Sequence, residues 1–373
     1  MKIFIPKEES YELRTAISPE IVKKLTSSGH EIFIESNAGS GSNFDDTIFT
    51  DAGSNIYTET SNLDSADIIF RVNAPTIDEI SKYKSGAILI TSLNPYNNKE
   101  VIKKLESQNV TSFAMELMPR ITRAQSMDVL SSQSNLAGYQ AVIEASHIFN
   151  KAMPMMMTAA GTIAPAKVMV FGAGVAGLQA IATAKRLGAI VSATDVRMAA
   201  KEQVESLGGK FVMVEMEDSE DAETSGGYAK EMSDDFKLKQ AELISKTISS
   251  QDIVICTALI PGKKAPILIT EEHVKSMKPG SVIIDLAAEN GGNCVSTKAG
   301  ETTVVNGVSI YGASNITSSI SQDASALYSK NLFNFFGLLI NEETNLLDID
   351  WEDEIIANTL ITKDGNIVNE EFK

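Results

Sequence analysis

The clearest chemistry in this chain lies in six consecutive residues, Gly172-Ala173-Gly174-Val175-Ala176-Gly177. They follow an apolar run, Lys167-Val168-Met169-Val170-Phe171, and precede an alanine-rich helical stretch from Leu178 to Leu187 that Gly188 ends. Glycines at this spacing between a strand and a helix suit a pyrophosphate. Gly172 allows the tight turn, Gly174 lets the backbone approach the phosphates, and Gly177 lets helix and strand pack closely. The helix start adds the amides of Val175, Ala176 and Gly177 and the positive end of its dipole. A purely structural glycine turn is the rival reading, and the strand before and helix after count against it.

The next strand pattern, Ile190-Val191-Ser192-Ala193-Thr194, ends at Asp195, eighteen residues after Gly177. A carboxylate there accepts the adenosine ribose hydroxyls and repels a 2′-phosphate, which favours NAD(H) over NADP(H). Val196 and Arg197 follow directly, and Arg197 also reads as a phosphate partner. Other reactive residues are sparse. His30, His147 and His273 share no metal-ligand spacing, so no metal site is expected. Cys256 and Cys294 lie far apart and read as reduced structural cysteines.

Composition sets the frame for these residues. A chain of 373 residues exceeds one ordinary core and suits two domains of about 150 residues each. An apolar fraction of 43% and a charged fraction of 22% are those of a globular protein. The net charge of −17 speaks against nucleic acid and against direct binding to anionic lipid. The longest apolar run, Leu332 to Ile340, contains Asn334 and falls well short of the about 18 residues a span requires. The opening Lys2-Ile3-Phe4-Ile5-Pro6 is strand-like rather than a basic-then-apolar leader, so a cytoplasmic location without membrane insertion is expected.

The elements that must position the loop alternate in type. Strand patterns occur at Ile3–Ile5, Glu31–Glu35, Asp67–Val72, Ala87–Thr91 and Ser112–Glu116, separated by helix-length stretches. Ser18 and Pro19 signal the start of the first helix and Gly29 its end. From Gln125 to Lys151 the pattern is helical, reading as a connection between domains. A second series follows at Lys167–Phe171, Ile190–Thr194, Lys210–Val214, Asp252–Thr257, Ser281–Leu286 and Ser309–Gly312. Such alternation predicts an α/β fold of two Rossmann-like parallel-sheet domains with a cofactor cleft between them. The helical segment from Asp323 to Ile340 is expected to return to the first domain. That assigns 1–125 and 318–373 to one domain and 126–317 to the nucleotide-binding one. Thr362-Lys363-Asp364-Gly365-Asn366 carries a hairpin-turn signal. The stretch 215–235 holds nine acids and no apolar periodicity, so it reads as a long loop, either disordered or a lid.

Several motifs coincide with those of a known family. Arg14-Thr15-Ala16-Ile17-Ser18-Pro19, the glycine loop, and Asp285-Leu286-Ala287-Ala288-Glu289-Asn290-Gly291-Gly292 resemble the alanine dehydrogenase superfamily. The run from Arg120 through Ile121, Thr122, Arg123, Ala124, Gln125, Ser126, Met127, Asp128, Val129 and Leu130 to Ser131-Ser132-Gln133 is more specific. It resembles the NAD(H)-binding domain I of proton-translocating NAD(P)+ transhydrogenases. The resemblance implies an Arg120–Asp128 ion pair beside the nicotinamide, with Gln125 and Ser131 contacting its ribose and carboxamide. It also implies that the acidic loop is a lid, with Gly227 and Tyr228 closing over the nucleotide. Thr257, Ala258 and Leu259 end a strand on the cofactor side. The family further implies a homodimer, working only with an NADP(H)-binding domain III and a membrane-spanning domain II on partner subunits. In that arrangement NADP(H) sits on the partner, and the chain is peripheral to the inner membrane.

The dehydrogenase branch of the superfamily fits less well. Its pattern places a lysine and a histidine where this chain has Asn73 and Asn94. Asparagine exchanges no proton near neutral pH, so the keto-acid chemistry lacks its base. Direct hydride transfer between two nicotinamides needs positioning and water exclusion rather than an acid or base. A nucleotide-binding regulator without catalysis is a further alternative.

Overall fold

A computed structural model of the chain describes residues 1–58, 60–214, 234–260, 262–341 and 343–373. It divides into two compact units, Met1–Gln133 with Thr317–Lys373, and Ser134–Ile316. Tyr228, Gly227 and nearly all of the acidic stretch lie outside the described residues.

The first unit is built on an eight-stranded sheet. From one edge its strands are Asn55–Tyr57, Glu31–Glu35, Lys2–Ile5, Ile68–Asn73, Ile88–Ser92, Thr111–Ala114, Leu360–Lys363 and Asn366–Ile367. The first six run parallel. Both faces are covered, because Ile3 and Ile5 enter one apolar cluster while Phe4 enters the other. This is why these strands are continuous apolar runs rather than alternating ones. The two C-terminal strands pair antiparallel, correcting the purely parallel expectation at this edge. Their turn is Asp364-Gly365 with φ of 50° and 69°, the left-handed pair a tight two-residue hairpin requires.

Helix Pro19–Ser27 starts where its signals place it, with Ser18 at the N-cap position and Pro19 at the first helical position. The Ser18 side chain makes no cap bond; its amide instead donates to Ser329 Oγ at 2.9 Å. Ser329 belongs to helix Ser321–Phe336, which buries Tyr328, Leu332, Phe335 and Phe336 in the core of the first unit. The helical reading from Gln125 to Lys151 resolves into a 3-10 turn, Thr122–Met127, and an α-helix, Val129–Ile148. Ser126 O accepts amide protons from Asn331 and Asn334, and Ser132 Oγ donates to Asn331 Oδ1, so this segment is tied to helix Ser321–Phe336.

The second unit carries a seven-stranded sheet in the order Lys210–Phe211, Ile190–Thr194, Lys167–Phe171, Ile253–Cys256, Val282–Asp285, Val308–Gly312, Thr302–Val305. All but the last pair are parallel, and Thr302–Val305 is an antiparallel edge. Strand order reverses beside Lys167–Phe171, the strand that feeds the glycine loop. In open parallel sheets ligands bind at such a switch point, beyond the carboxyl ends of the strands. A separate hairpin, Met156–Thr158 with Gly161–Ile163, pairs only with itself.

Candidate functional site

The glycine loop grows directly out of a buried strand, since Val168, Met169 and Val170 are fully enclosed. Gly172 has φ +92° and donates its amide to Thr194 O at 2.9 Å. A Cβ on it would lie 2.7 Å from Thr257 Oγ1, and one on Gly177 only 1.8 Å from Gly172 O. Both positions therefore exclude any side chain. Gly174 differs, because a Cβ there would point into open space. Nothing in the protein requires glycine at that position, so its openness is room for a ligand to reach the backbone.

Helix Val175–Arg186 follows, with Gly174 as its N-cap and no side chain capping it. Its intrahelical ladder begins with Leu178 N donating to Gly174 O at 2.8 Å. The first-turn amides of Val175, Ala176 and Gly177 thus face an uncapped, anion-attracting end. Sequence reasoning missed Gly138, on helix Val129–Ile148. A Cβ there would sit 2.0 Å from Ala176 O, so this glycine lets the two helices touch backbone to backbone beneath the loop.

Asp195 stands at the tip of Ile190–Thr194. Its Oδ2 accepts the Ala173 amide at 2.7 Å and Arg197 Nη2 at 3.0 Å. Its Oδ1 accepts the Arg197 amide and Nε, both at 2.9 Å. Burial opposes ionisation here, but hydrogen bonds from Arg197 and Ala173 outweigh it and hold the carboxyl below its usual range. The group is therefore a carboxylate at neutral pH, as a ribose-diol acceptor must be. Val196, beside it, is exposed.

On the neighbouring strand end, Thr257 Oγ1 donates to Gly172 O at 3.0 Å, locking the turn from below. Ala258 is held from both sides: its amide donates to Asn293 Oδ1 at 3.1 Å, and its carbonyl accepts from Asn293 Nδ2 at 2.9 Å. Leu259 is exposed. Asn293 is itself positioned by Asp285, a fully enclosed carboxylate that accepts the amides of Ala287, Asn293 and Cys294 and the Thr297 hydroxyl. In the sequence Asp285 was legible only as the start of a family-like motif, not as the support of Ala258.

The first unit holds Arg120, Gln125, Asp128 and Ser131. Arg120 and Gln125 are exposed, while Ala124 and Met127 between them are buried anchors. Asp128 receives the Ser131 amide at 2.9 Å on one oxygen and the Ser131 hydroxyl at 2.5 Å on the other. This is an N-cap for helix Val129–Ile148, and it explains their three-residue spacing. Elsewhere in this unit Arg14 is gripped by Glu12, with Nε at 2.8 Å and Nη2 at 2.7 Å, and donates Nη1 to Gln133 Oε1 at 2.9 Å. Glu12 also accepts from Asn73 Nδ2 and from Ser318 Oγ. Asn94 adopts φ +48° and gives its amide to Glu116. Cys256 and Cys294 are buried free thiols, both pushed up by burial. Among the described residues no cluster of three or more His, Cys, Asp or Glu is arranged to hold a metal ion.

A switch-point strand, two sterically obligate glycines, an open third and an ionised acid at the next strand tip define a Rossmann-like nucleotide-binding α/β protein. The chain belongs to the alanine dehydrogenase/PNT family: the model for its N-terminal domain matches residues 4–137 and that for its C-terminal domain residues 141–370. The resemblance drawn from Arg14–Pro19, the glycine loop and Asp285–Gly292 is thereby borne out. The chain is 54% identical over 376 residues to the first portion of the NAD(P) transhydrogenase alpha subunit of Rhodospirillum rubrum, a separate polypeptide, covering 99% of this chain and 98% of that protein. It also matches alanine dehydrogenase 2 of Staphylococcus aureus, with 32% identity over 86% of this chain and 82% of that one. Among solved structures, the transhydrogenase from Sinorhizobium meliloti superposes with a TM-score of 0.90 at 50% identity, covering 99% of this chain and 100% of that one.

Proposed function

We propose that this chain is the NAD(H)-binding subunit of a proton-translocating transhydrogenase, passing a hydride between NADH and NADP+ held on a partner subunit. The observation that carries the reading is the 54% identity across nearly the full length of the Rhodospirillum rubrum transhydrogenase subunit. The glycine loop fits the nucleotide: Val175, Ala176 and Gly177 offer amides to its pyrophosphate, and ionised Asp195 offers acceptors to its ribose hydroxyls. Bound there, NADH supplies a hydride from C4 of its dihydronicotinamide. Arg120, Gln125, Asp128 and Ser131 orient that ring by the family pattern, while Thr257, Ala258 and Leu259 support the nucleotide and Gly227 and Tyr228 cover it. No residue need move a proton, because hydride transfer between nicotinamides is a matter of positioning and dryness.

The partners follow from the same reading: a domain III carrying NADP(H), and a membrane domain II that couples transfer to proton flow. Among the described residues no helix is long and apolar enough to cross a membrane, which supports attachment through those partners. A homodimer is supported by the hairpin Met156–Thr158 with Gly161–Ile163, where Met155, Met156, Met157 and Ile163 are exposed. Two-stranded hairpins are marginal without burial, and a second copy supplies it. The amino-acid dehydrogenase alternative is weakened because Asn73 and Asn94 carry no base and Glu12 already grips Arg14.

The test is reconstitution. The purified chain, mixed with an NADP(H)-binding transhydrogenase domain, should reduce an NADP+ analogue with NADH far above the rate of either component. A rate no higher than background, or NADH oxidation by pyruvate and ammonium in the chain alone, overturns the reading.

A further inference from the structure

The nucleotide site holds a cation whose task the proposed function leaves unassigned. Arg197 lies two residues beyond the acid that reads the adenosine ribose, and its guanidinium grips that acid through Nε at 2.9 Å and Nη2 at 3.0 Å. The Arg197 side chain keeps 28% of its surface exposed while that of Asp195 keeps 6%, so the acid is the enclosed member of the pair. An arginine beside the second strand tip is where sites of this architecture take up a 2′-phosphate. Guanidinium binds carboxylate and phosphate with the same planar fork, so the two anions compete for one donor set.

We infer that Arg197 is a latent 2′-phosphate ligand kept off that task by Asp195, so one carboxylate decides which dinucleotide enters. The inference rests on the NAD(H) reading above. Asp195 acts twice: its charge repels a 2′-phosphate, and its oxygens occupy the guanidinium that would otherwise receive one. The two effects reinforce each other, so removing the carboxylate both lifts the repulsion and frees the fork. A strict gate here matters for an enzyme with two nicotinamide sites. NADP(H) entering this subunit would allow hydride exchange between two identical nucleotides without net conversion.

The experiment measures NADH and NADPH binding by calorimetry to four forms of the full chain: wild type, Asp195→Asn, Asp195→Ser, and Asp195→Asn combined with Arg197→Gln. Asparagine keeps an acceptor for the Ala173 amide, and serine guards against a misfolded asparagine variant. The wild type should bind NADH and discriminate strongly against NADPH. Either single variant should gain at least about tenfold in NADPH affinity, the scale of one charge-assisted contact, and the double variant should lose that gain. Unchanged NADPH affinity in both single variants, or a gain that survives in the double variant, overturns the inference alone. Absence of NADH binding by the wild type overturns the functional reading and this inference with it.

Discussion

Asp195 Oδ2 accepts the amide of Ala173 at 2.7 Å, so the tip of one strand holds the phosphate loop that follows its neighbour. Two features separate in the sequence, the glycines and the acid, are one hydrogen-bonded unit. The carboxylate thus shapes the loop as well as reading the ribose.

The three loop glycines should part company on substitution. Gly177→Ala forces a methyl to within 1.8 Å of a backbone oxygen, so it should destabilise the fold by about 1–3 kcal/mol or more, seen as a lower denaturation midpoint. Gly174→Ala has open space and a negative φ of −76°, so stability should hold while NADH affinity falls, measured by titration. Equal losses of stability in both variants would contradict the assignment of Gly174 to the ligand.

Asp128 has a structural duty that must be separated from any catalytic one. Asp128→Ala removes the N-cap of helix Val129–Ile148 and should cost about 1 kcal/mol in chemical denaturation. Asp128→Asn keeps an oxygen for the Ser131 amide but loses the charge, so stability should be largely retained. If the charge orients the nicotinamide as proposed, the asparagine variant should still lose hydride-transfer rate by tenfold or more, about 1.4 kcal/mol in barrier. A wild-type rate in that variant would reduce Asp128 to a helix cap.

Glu116 should make stability fall with rising pH. Its carboxyl is raised, because burial outweighs the hydrogen bonds from its own backbone and from Asn94 and Leu93. A carboxyl whose folded pKa exceeds its unfolded value contributes stability that is fully present below the unfolded value, about 4.3, and is lost as pH rises through the folded one. Glu116→Gln carries no such titration. The stability of wild type minus variant should therefore decline from about pH 4 towards neutrality, followed by thermal denaturation in matched buffers. A flat or rising difference would show that the carboxyl is not raised.

The exposed hairpin gives the dimer a direct test. Met157→Glu places a charge on the most exposed of its methionines without touching either sheet. Sedimentation should show the wild type as a dimer and the variant shifted towards monomer, with NADH binding retained. A variant that stays fully dimeric would move the interface elsewhere.

Much of this architecture could be read from the chain alone because it rests on local rules. Lys167–Phe171 and Ile190–Thr194 have the same bounds in sequence and structure, since β-branched runs between breakers leave little choice. Gly172 at positive φ and the Asp364-Gly365 turn are likewise set by what one or two residues can adopt. Other boundaries moved where side chains from distant segments intervened. The strand expected at Ser112–Glu116 stops at Ala114, and Glu116 turns back to hold Leu93 and Asn94. The strand expected at Lys210–Val214 stops at Phe211, and Val214 donates its amide to Gln240 instead.

By itself, then, the sequence determined the alternating elements, the phosphate loop and the acid at the next strand tip, because each depends on neighbours within a few residues. Only the tertiary structure decided that Arg197 clasps Asp195, that Gly138 lies against Ala176, and that Asn293 brackets Ala258. It also decided that Glu12 binds Arg14 together with Ser318, a residue 306 positions away. No local propensity encodes such contacts. They arise when packing helices onto each sheet brings remote polar groups out of water and obliges them to satisfy one another.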